Sequence, residues 1–296
     1  PTCEVGARVI DWGQNFRPGK SNYYICEADE YNDNFLNYEP DIAVILNAAW
    51  DHPDYFKNQS AVINSYKKFA SNVKPGGTIF IGADPALNQF AQSPEQGSSP
   101  PGVLFIKAHD FKLKQLAIIG DFRKVNANAA LTVAEILKVD VQKAKQSIVK
   151  FRGLGRRLEY KGEINGVKFY DDYAVQPYTI EKTANALKEK YINKRVLLVL
   201  EPHMPTRVKK FFKDFVKAIK NTKVDRVLIT NIFLAREKGD NMQLSQKLSN
   251  TVQKAVYTGS IKDTAAYVKK NIHDFDVVCS MGAGDSYKLY EMIKNR

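Results

Sequence analysis

Short runs of β-branched and aromatic residues recur along the chain, each separated from the next by a stretch with helical spacing. "YYIC", "IAVIL", "TIFIG" and "VLFI" occupy the first half, and "RVLLVL", "DRVLIT" and "DVVCS" the second. Strands that alternate with helices need crossover connections, and crossovers give parallel sheets, so the pattern predicts an α/β fold. In such sheets ligands bind beyond the carboxyl ends of the strands. Residues just after each run are therefore the first candidates for a site.

The alternation is interrupted twice. Residues 91–102, "AQSPEQGSSPPG", carry Pro, Gly and Ser without periodicity and read as a surface loop inside the first domain. After two helical stretches, "NANAALTVAEILKV" and "DVQKAKQSIVKF", the segment "RGLGRRLEYKG" breaks the pattern. Asn165 and Gly166 then mark a hairpin between "KGEING" and "VKFYDD". This places a domain boundary near Gly155: residues 1–154 form one α/β domain and 155–296 a doubly wound, Rossmann-like one. In the second, helices are expected from Pro177 to Lys190 and from Thr206 to Ile219.

With 296 residues and 44% hydrophobic content, the chain can bury ample core in about two domains. The three cysteines are too few and too scattered for a disulfide framework; Cys26 and Cys279 end runs that read as buried strands. No stretch has the length and apolarity of a membrane span or signal peptide, which makes the cytosol the expected compartment. The net charge of +12 favours polyanionic partners. Most of the excess is Lys in "SYKKFASNVK" and "RVKKFFKDFVKAIK", which read as solvated helix faces, and no nucleic-acid motif is present.

Five strand ends carry residues that could do chemistry. "YYIC" delivers Glu27, Asp29 and Glu30, and "IAVIL" delivers Asn47, Asp51, His52 and Asp54 to what should be a neighbouring end. Hard oxygen ligands with an imidazole suit Mg²⁺ on phosphate; acids capping the following helices, with a surface His, are the other reading. "GAGDSYKL" follows a strand and opens a helix, so its N–H groups could meet an anion or serve turn geometry alone. "LEPHMPTR" brings His203 and Arg207, and "NIFLARE" brings Arg236 and Glu237; bases at adjacent strand ends suit anionic substrates, and an Arg–Glu pair on a helix face is the alternative for the second. His109 and His273 sit in polar surroundings and are expected to be exposed.

Taken in order, "EADEYNDNFL", "NAAWDHPDYF", "NANAAL", "GLGRRLEY", "YDDYAVQPYTI", "EPHMPTR", "NIFLARE" and "MGAGDSYKL" resemble the Mur ligase family, and within it the branch that joins L-alanine to UDP-N-acetylmuramate. The resemblance implies a central ATP-binding domain followed by a Rossmann-like ligase domain. It also implies ATP and Mg²⁺ as cofactors and an acyl-phosphate intermediate in peptidoglycan precursor synthesis. It casts Glu27 and His52 as metal or phosphate-site ligands and, with Arg207, as catalytic groups. Asn128 would contact adenine, Arg157 the ATP phosphates and Asp172 the ribose, while Tyr173, His203 and Arg207 would hold the amino acid and the reacting carboxyl.

The chain departs from the family pattern in several places. The N-terminal UDP-binding domain and the G-x-x-G-K-[ST] loop are missing, so this chain alone is expected to be inactive. "DDYxHHP" reads with Val175 and Gln176 in place of both histidines, "PHRxTR" with Met204, and "NxExDH" with Ala49. A non-catalytic nucleotide-binding or scaffold homologue, or a sister ligase with another amino acid or peptide, are the alternatives these changes leave.

Overall fold

The computed structural model describes residues 1–82, 84–87 and 101–295; most of the loop expected at 91–102 lies outside them. The chain separates into two compact units. One comprises residues 1–6 and 14–152; the other comprises 7–13 and 153–296. Residues 7–13 join the second unit through the antiparallel bridge between Val9 and Leu154 and the hydrogen bond from Gly155 N–H to the Arg8 carbonyl, 2.7 Å.

The first unit contains two small sheets. Strands β1 (Thr2–Glu4), β2 (Phe16–Arg17) and β3 (Tyr24–Cys26) pair in the order β2-β1-β3. Strands β4 (Ile42–Ile45), β5 (Thr78–Ile81) and β6 (Leu104–Lys107) form a second, parallel sheet in the order β4-β5-β6. Helix α1 (Gln59–Ser71) begins where the Asn58 side chain accepts the Ala61 N–H, and it buries Val62, Ile63, Phe69 and Ala70 in one core with Ile45, Ile79 and Ile81. Helices α2 (Arg123–Ile136) and α3 (Val141–Lys150) complete the unit.

Two expectations are corrected here. The strands that end at Cys26 and Ile45 are not neighbours, because β3 pairs with β1 and β4 with β5 in a different sheet. Nor is β3 a buried strand: it is an edge strand on which Tyr24 and Ile25 are exposed and Cys26 is half-buried.

The second unit is built on a six-stranded sheet. Strands β7 (Glu159–Ile164) and β8 (Val167–Asp172) form the expected hairpin, with Asn165 and Gly166 both at positive φ, the conformation a two-residue turn needs. Then follow α4 (Pro177–Lys190), β9 (Val196–Leu200), α5 (Pro205–Lys210), α6 (Phe212–Asn221), β10 (Arg226–Thr230), α7 (Gln243–Thr251), β11 (Ala255–Gly259), α8 (Ile261–Lys270), β12 (Val277–Met281) and α9 (Leu289–Lys294). The strand order is β11-β10-β9-β12-β8-β7, parallel apart from the hairpin. Every residue of β9 and β12 is buried, as continuous apolar runs in a sheet covered on both faces should be.

The single helix expected from Thr206 to Ile219 is two helices, divided at Phe211 with φ −105° and ψ 24°. The reset lets α6 bury Phe215, Ala218 and Ile219 while Lys213, Lys217 and Lys220 face solvent. The lysine-rich stretch is thus a solvated face. Because β12 returns between β8 and β9, the order of connection reverses there. The carboxyl ends of β8, β12 and β9 accordingly flank a topological switch point, the place where α/β sheets hold ligands.

Candidate active site

In the first unit the acid-rich segment after β3 turns back on itself through a 3₁₀ stretch, Tyr31–Asn37. Only Asp29 serves that turn; the other carboxylates bond residues elsewhere in the unit. Asp29 accepts the Tyr31 N–H at 3.0 Å and the Asn34 amide at 3.3 Å, and Asp33 accepts the Tyr55 hydroxyl at 2.7 Å and the Ser65 hydroxyl. Glu27 is exposed, and its carboxylate receives the Gly6 N–H at 2.6 Å. His52 sits after β4 at φ 50°, with Nε2 3.4 Å from the Glu30 carboxylate and its ring 4.8 Å from that of Tyr31. Among the described residues no group of three or more His, Cys, Asp or Glu side chains is arranged to hold a metal ion. Asn128, on α2, accepts the Phe111 N–H at 3.3 Å and bonds Asp110, whose carboxyl is held low chiefly by Lys112.

The second unit is organised differently. The loop before β7 has Arg156 at φ 58° and Leu158 at φ 50°, left-handed backbone that L-residues rarely adopt unless other contacts fix it. Those contacts are present. Tyr173 N–H bonds the Arg156 carbonyl at 2.7 Å, and buried Asp172 accepts the N–H groups of Leu158 and Ala174, each at 2.8 Å. The same geometry separates two consecutive arginines. Arg156 turns inward, with Nε 3.0 Å from the Asp171 carboxylate and a terminal nitrogen 2.6 Å from the Gly282 carbonyl. Arg157 stays exposed, its guanidinium 5.7 Å from the centre of the Tyr173 ring.

Asp171 is 1% exposed and also accepts the Ser280 hydroxyl at 3.0 Å. Burial pushes its carboxyl above the usual range, opposed by Arg156 and Ser280. The Arg156 guanidinium lies 5.1 Å from the Tyr173 ring and 4.9 Å from the Tyr287 ring, a distance at which cation–π attraction operates.

At the end of β9, Glu201 is buried and its carboxylate takes the N–H groups of Asp285 and Ser286 at 3.2 and 3.0 Å; burial raises it. Beyond it the chain runs beside the loop after β10. Phe233 N–H bonds the Pro202 carbonyl, Met204 N–H bonds the Phe233 carbonyl, and the His203 and Phe233 rings stack 6.0 Å apart. Met204 is buried at φ 63°, so the position where the family pattern carries Arg points into the core. Arg207 is buried on α5, and Glu237 accepts the N–H and hydroxyl of Thr206.

A cleft of about 390 Å³ opens here. It is lined by Glu201, Asn231, Phe233, Asn241, Ser260 and Asp285 among others. Gly284 is required at its edge, because a Cβ there would meet the Phe233 ring at 2.3 Å and the Glu201 carboxylate at 2.7 Å.

Of the residues singled out from sequence, Glu27, His52 and Asn128 lie in the first unit, and Arg157, Asp172, Tyr173, His203 and Arg207 at strand ends of the second. His109 and His273 are exposed, as expected, with His109 2.7 Å from Glu135. Sequence reasoning missed Arg156, Asp171, Glu201, Phe233 and Tyr287. The doubled acid and doubled arginine were visible, but only the structure tells that Arg156 turns inward while Arg157 stays exposed, and that of the two buried acids Asp171 takes the guanidinium.

Residues 14–134 match the family description "Mur ligase middle domain", and residues 156–284 match "Mur ligase, glutamate ligase domain". A UDP-N-acetylmuramate–L-alanine ligase of Caldanaerobacter subterraneus subsp. tengcongensis is 34% identical over 319 residues, covering 98% of this chain and 68% of that protein. Among solved structures, the UDP-N-acetylmuramate-alanine ligase of Thermotoga maritima superposes with a TM-score of 0.73 at 17% identity, over 99% of this chain and 68% of the other. The MurF ligase of the same organism, solved in complex with ADP, gives 0.69 at 15% identity over 99% and 73%. These two superpositions speak to the fold.

Proposed function

The chain belongs to the Mur ligase family, and from that premise we propose that it is an ATP-dependent ligase of peptidoglycan precursor synthesis, working in the cytoplasm and joining L-alanine to UDP-N-acetylmuramate. The observation that carries this reading is the strand-end layer of the second unit, where exposed Arg157 in the loop before β7 lies beside Tyr173 at the end of β8, and His203 and buried Arg207 follow β9. Guanidinium groups at a topological switch point suit a reaction whose partners are a carboxylate, a phosphate and an acyl phosphate.

In this reading the sugar carboxylate takes the γ-phosphoryl group, and the amine of the amino acid then displaces phosphate to form the amide. Arg207 orients the carboxyl, and Arg157 neutralises charge on the transferring phosphoryl group. The cleft beside Glu201 and Asp285 receives the amino acid: the two acids face the ammonium, and Ile232, Phe233 and Leu234 line its apolar wall. Met204, Val175 and Gln176 stand where the family pattern carries an arginine and two histidines, so a panel of amino acids tests the choice of L-alanine.

The donor set of the first unit fits Mg²⁺ held through phosphate, because that ion is commonly bound by one or two carboxylates plus substrate oxygens and water. Glu27 and His52 would hold it; the ion would supply charge neutralisation on the phosphates. Asn128 would meet the adenine by exchanging its bond to Asp110. Asp172, already anchored to two main-chain N–H groups, would reach a ribose with its remaining lone pairs.

The test is phosphate release from ATP by the natural protein with UDP-N-acetylmuramate and a panel of amino acids. Release that depends on L-alanine supports the reading, a preference for glycine or serine revises the substrate, and no amino-acid-dependent release contradicts it.

A further inference from the structure

Arg157 is the arginine of the pair that the family resemblance singles out, yet the geometry gives its neighbour the larger structural reach. The Arg156 side chain bonds Asp171 at the end of β8 and the Gly282 carbonyl after β12, with the Ala283 carbonyl at 3.5 Å. It therefore ties together two adjacent strand ends on either side of the switch point. Its guanidinium lies against the rings of two half-exposed tyrosines, Tyr173 and Tyr287, and its own carbonyl accepts the Tyr173 N–H. Tyr173 is thus held by Arg156 twice, through backbone and through ring. A tyrosine so exposed would otherwise be free to change rotamer.

We infer that Arg156, locked by Asp171, is a positioning residue that fixes the Tyr173 ring beside the ends of β8 and β12, where in the ligase reading it faces the amino acid. The planar fork of arginine is needed for this, because one side chain must meet a carboxylate at Nε and a carbonyl at a terminal nitrogen while presenting a flat face to the rings. Lysine has one nitrogen and no face. Asp171 makes no contact with Tyr173 recorded in the structure; it acts through the guanidinium, which it orients together with Ser280. The inference rests on the ligase reading only for the statement that Tyr173 faces the amino acid.

The experiment uses the natural protein with Arg156→Met, Arg156→Lys and the near-isosteric Asp171→Asn, and reads two quantities. The first is the ¹⁹F resonance of Tyr173 after labelling with 3-fluorotyrosine, assigned by Tyr173→Phe. It should shift and broaden in all three variants, and an unchanged resonance in folded Arg156→Met and Asp171→Asn would overturn the inference. The second is the kinetic split. Loss of positioning should raise the amino-acid KM about tenfold with the ATP KM unchanged, and Arg156→Lys should not rescue it. Rescue by lysine, or a uniform fall in kcat with both KM values unchanged, would overturn it. A shifted resonance with no amino-acid dependence even in the wild type would leave the positioning intact and sink the ligase reading instead.

Discussion

The two clusters at strand ends are built on opposite principles. In the first unit, Glu27, Asp29, Glu30 and Asp33 are crowded within seven residues of sequence, yet their bonds diverge: Glu27 takes Gly6, Asp29 takes Tyr31 and Asn34, Glu30 meets His52, and Asp33 takes Tyr55 and Ser65. In the second unit, Arg156 meets both Asp171, brought back beside it by the β7–β8 hairpin, and the distant Gly282, brought alongside because β12 enters between β8 and β9. Density of charged residues along a chain therefore did not make a convergent cluster, whereas sheet order did. Glu27 and Asp29, the exposed acids of the first cluster, can rearrange around a ligand at little cost, and the buried cluster holds a fixed geometry.

That contrast is breakable by mutation. Asp171→Ala leaves the Arg156 guanidinium without its carboxylate in a mostly buried site and should lower the stability of the second unit by about 3 kcal/mol, whereas Glu30→Ala, which removes a half-buried partner of His52, should cost under about 1 kcal/mol. Urea melts of both variants check the ratio, and equal losses would erase the distinction. Gly284→Ala forces a methyl group against Phe233 and Glu201 and should cost about 1–3 kcal/mol while closing part of the cleft, measurable as lost stability together with weakened amino-acid binding. Ser260→Ala removes one half of the capping box it forms with Asp263 at the start of α8, at the rim of the same cleft, for about 1 kcal/mol.

The smallest effect concerns pH. Asp171 and Glu201 have carboxyls raised by burial, so the folded state holds their protons more tightly than the unfolded chain does. Stability contributed by these groups is therefore greatest in acid and declines as pH rises from the ordinary carboxylate range through the raised values. Asp263, lowered chiefly by its hydrogen bonds with Ser260, has the opposite sign: its contribution is present above the ordinary carboxylate range and is lost as pH falls through the depressed value. Asp171→Asn should flatten the decline between acid and neutral pH. A slope unchanged from wild type would mean that Asp171 titrates alike in both states.

Much of the fold could be read in advance because apolar runs in a two-sided sheet are strong signals: "RVLLVL", "DRVLIT" and "DVVCS" became β9, β10 and β12, and Asn165–Gly166 made its turn. The failures have physical causes. Periodicity is blind to partner choice, so β3 and β4 read as neighbours although they belong to different sheets. The break at Phe211 carries no glycine or proline of its own and follows from how α6 must turn its apolar face. The candidate site was readable as residue types at strand ends. The inward turn of Arg156 was not, because Arg156 and Arg157 are identical in type and differ only in backbone angle and burial, and two buried acids side by side do not announce which one meets the guanidinium. Glu201 was passed over beside the more conspicuous His203.

The division of labour between the clusters has one direct kinetic test in the natural protein. Glu27→Gln should raise the Mg²⁺ concentration needed for half-maximal phosphate release and leave the L-alanine KM unchanged, while Tyr173→Phe should raise the L-alanine KM and leave the Mg²⁺ requirement unchanged. If instead Glu27→Gln moves the L-alanine KM, or Tyr173→Phe moves the Mg²⁺ requirement, the assignment of the Mg²⁺ site to the first unit and of the amino-acid site to the second is contradicted.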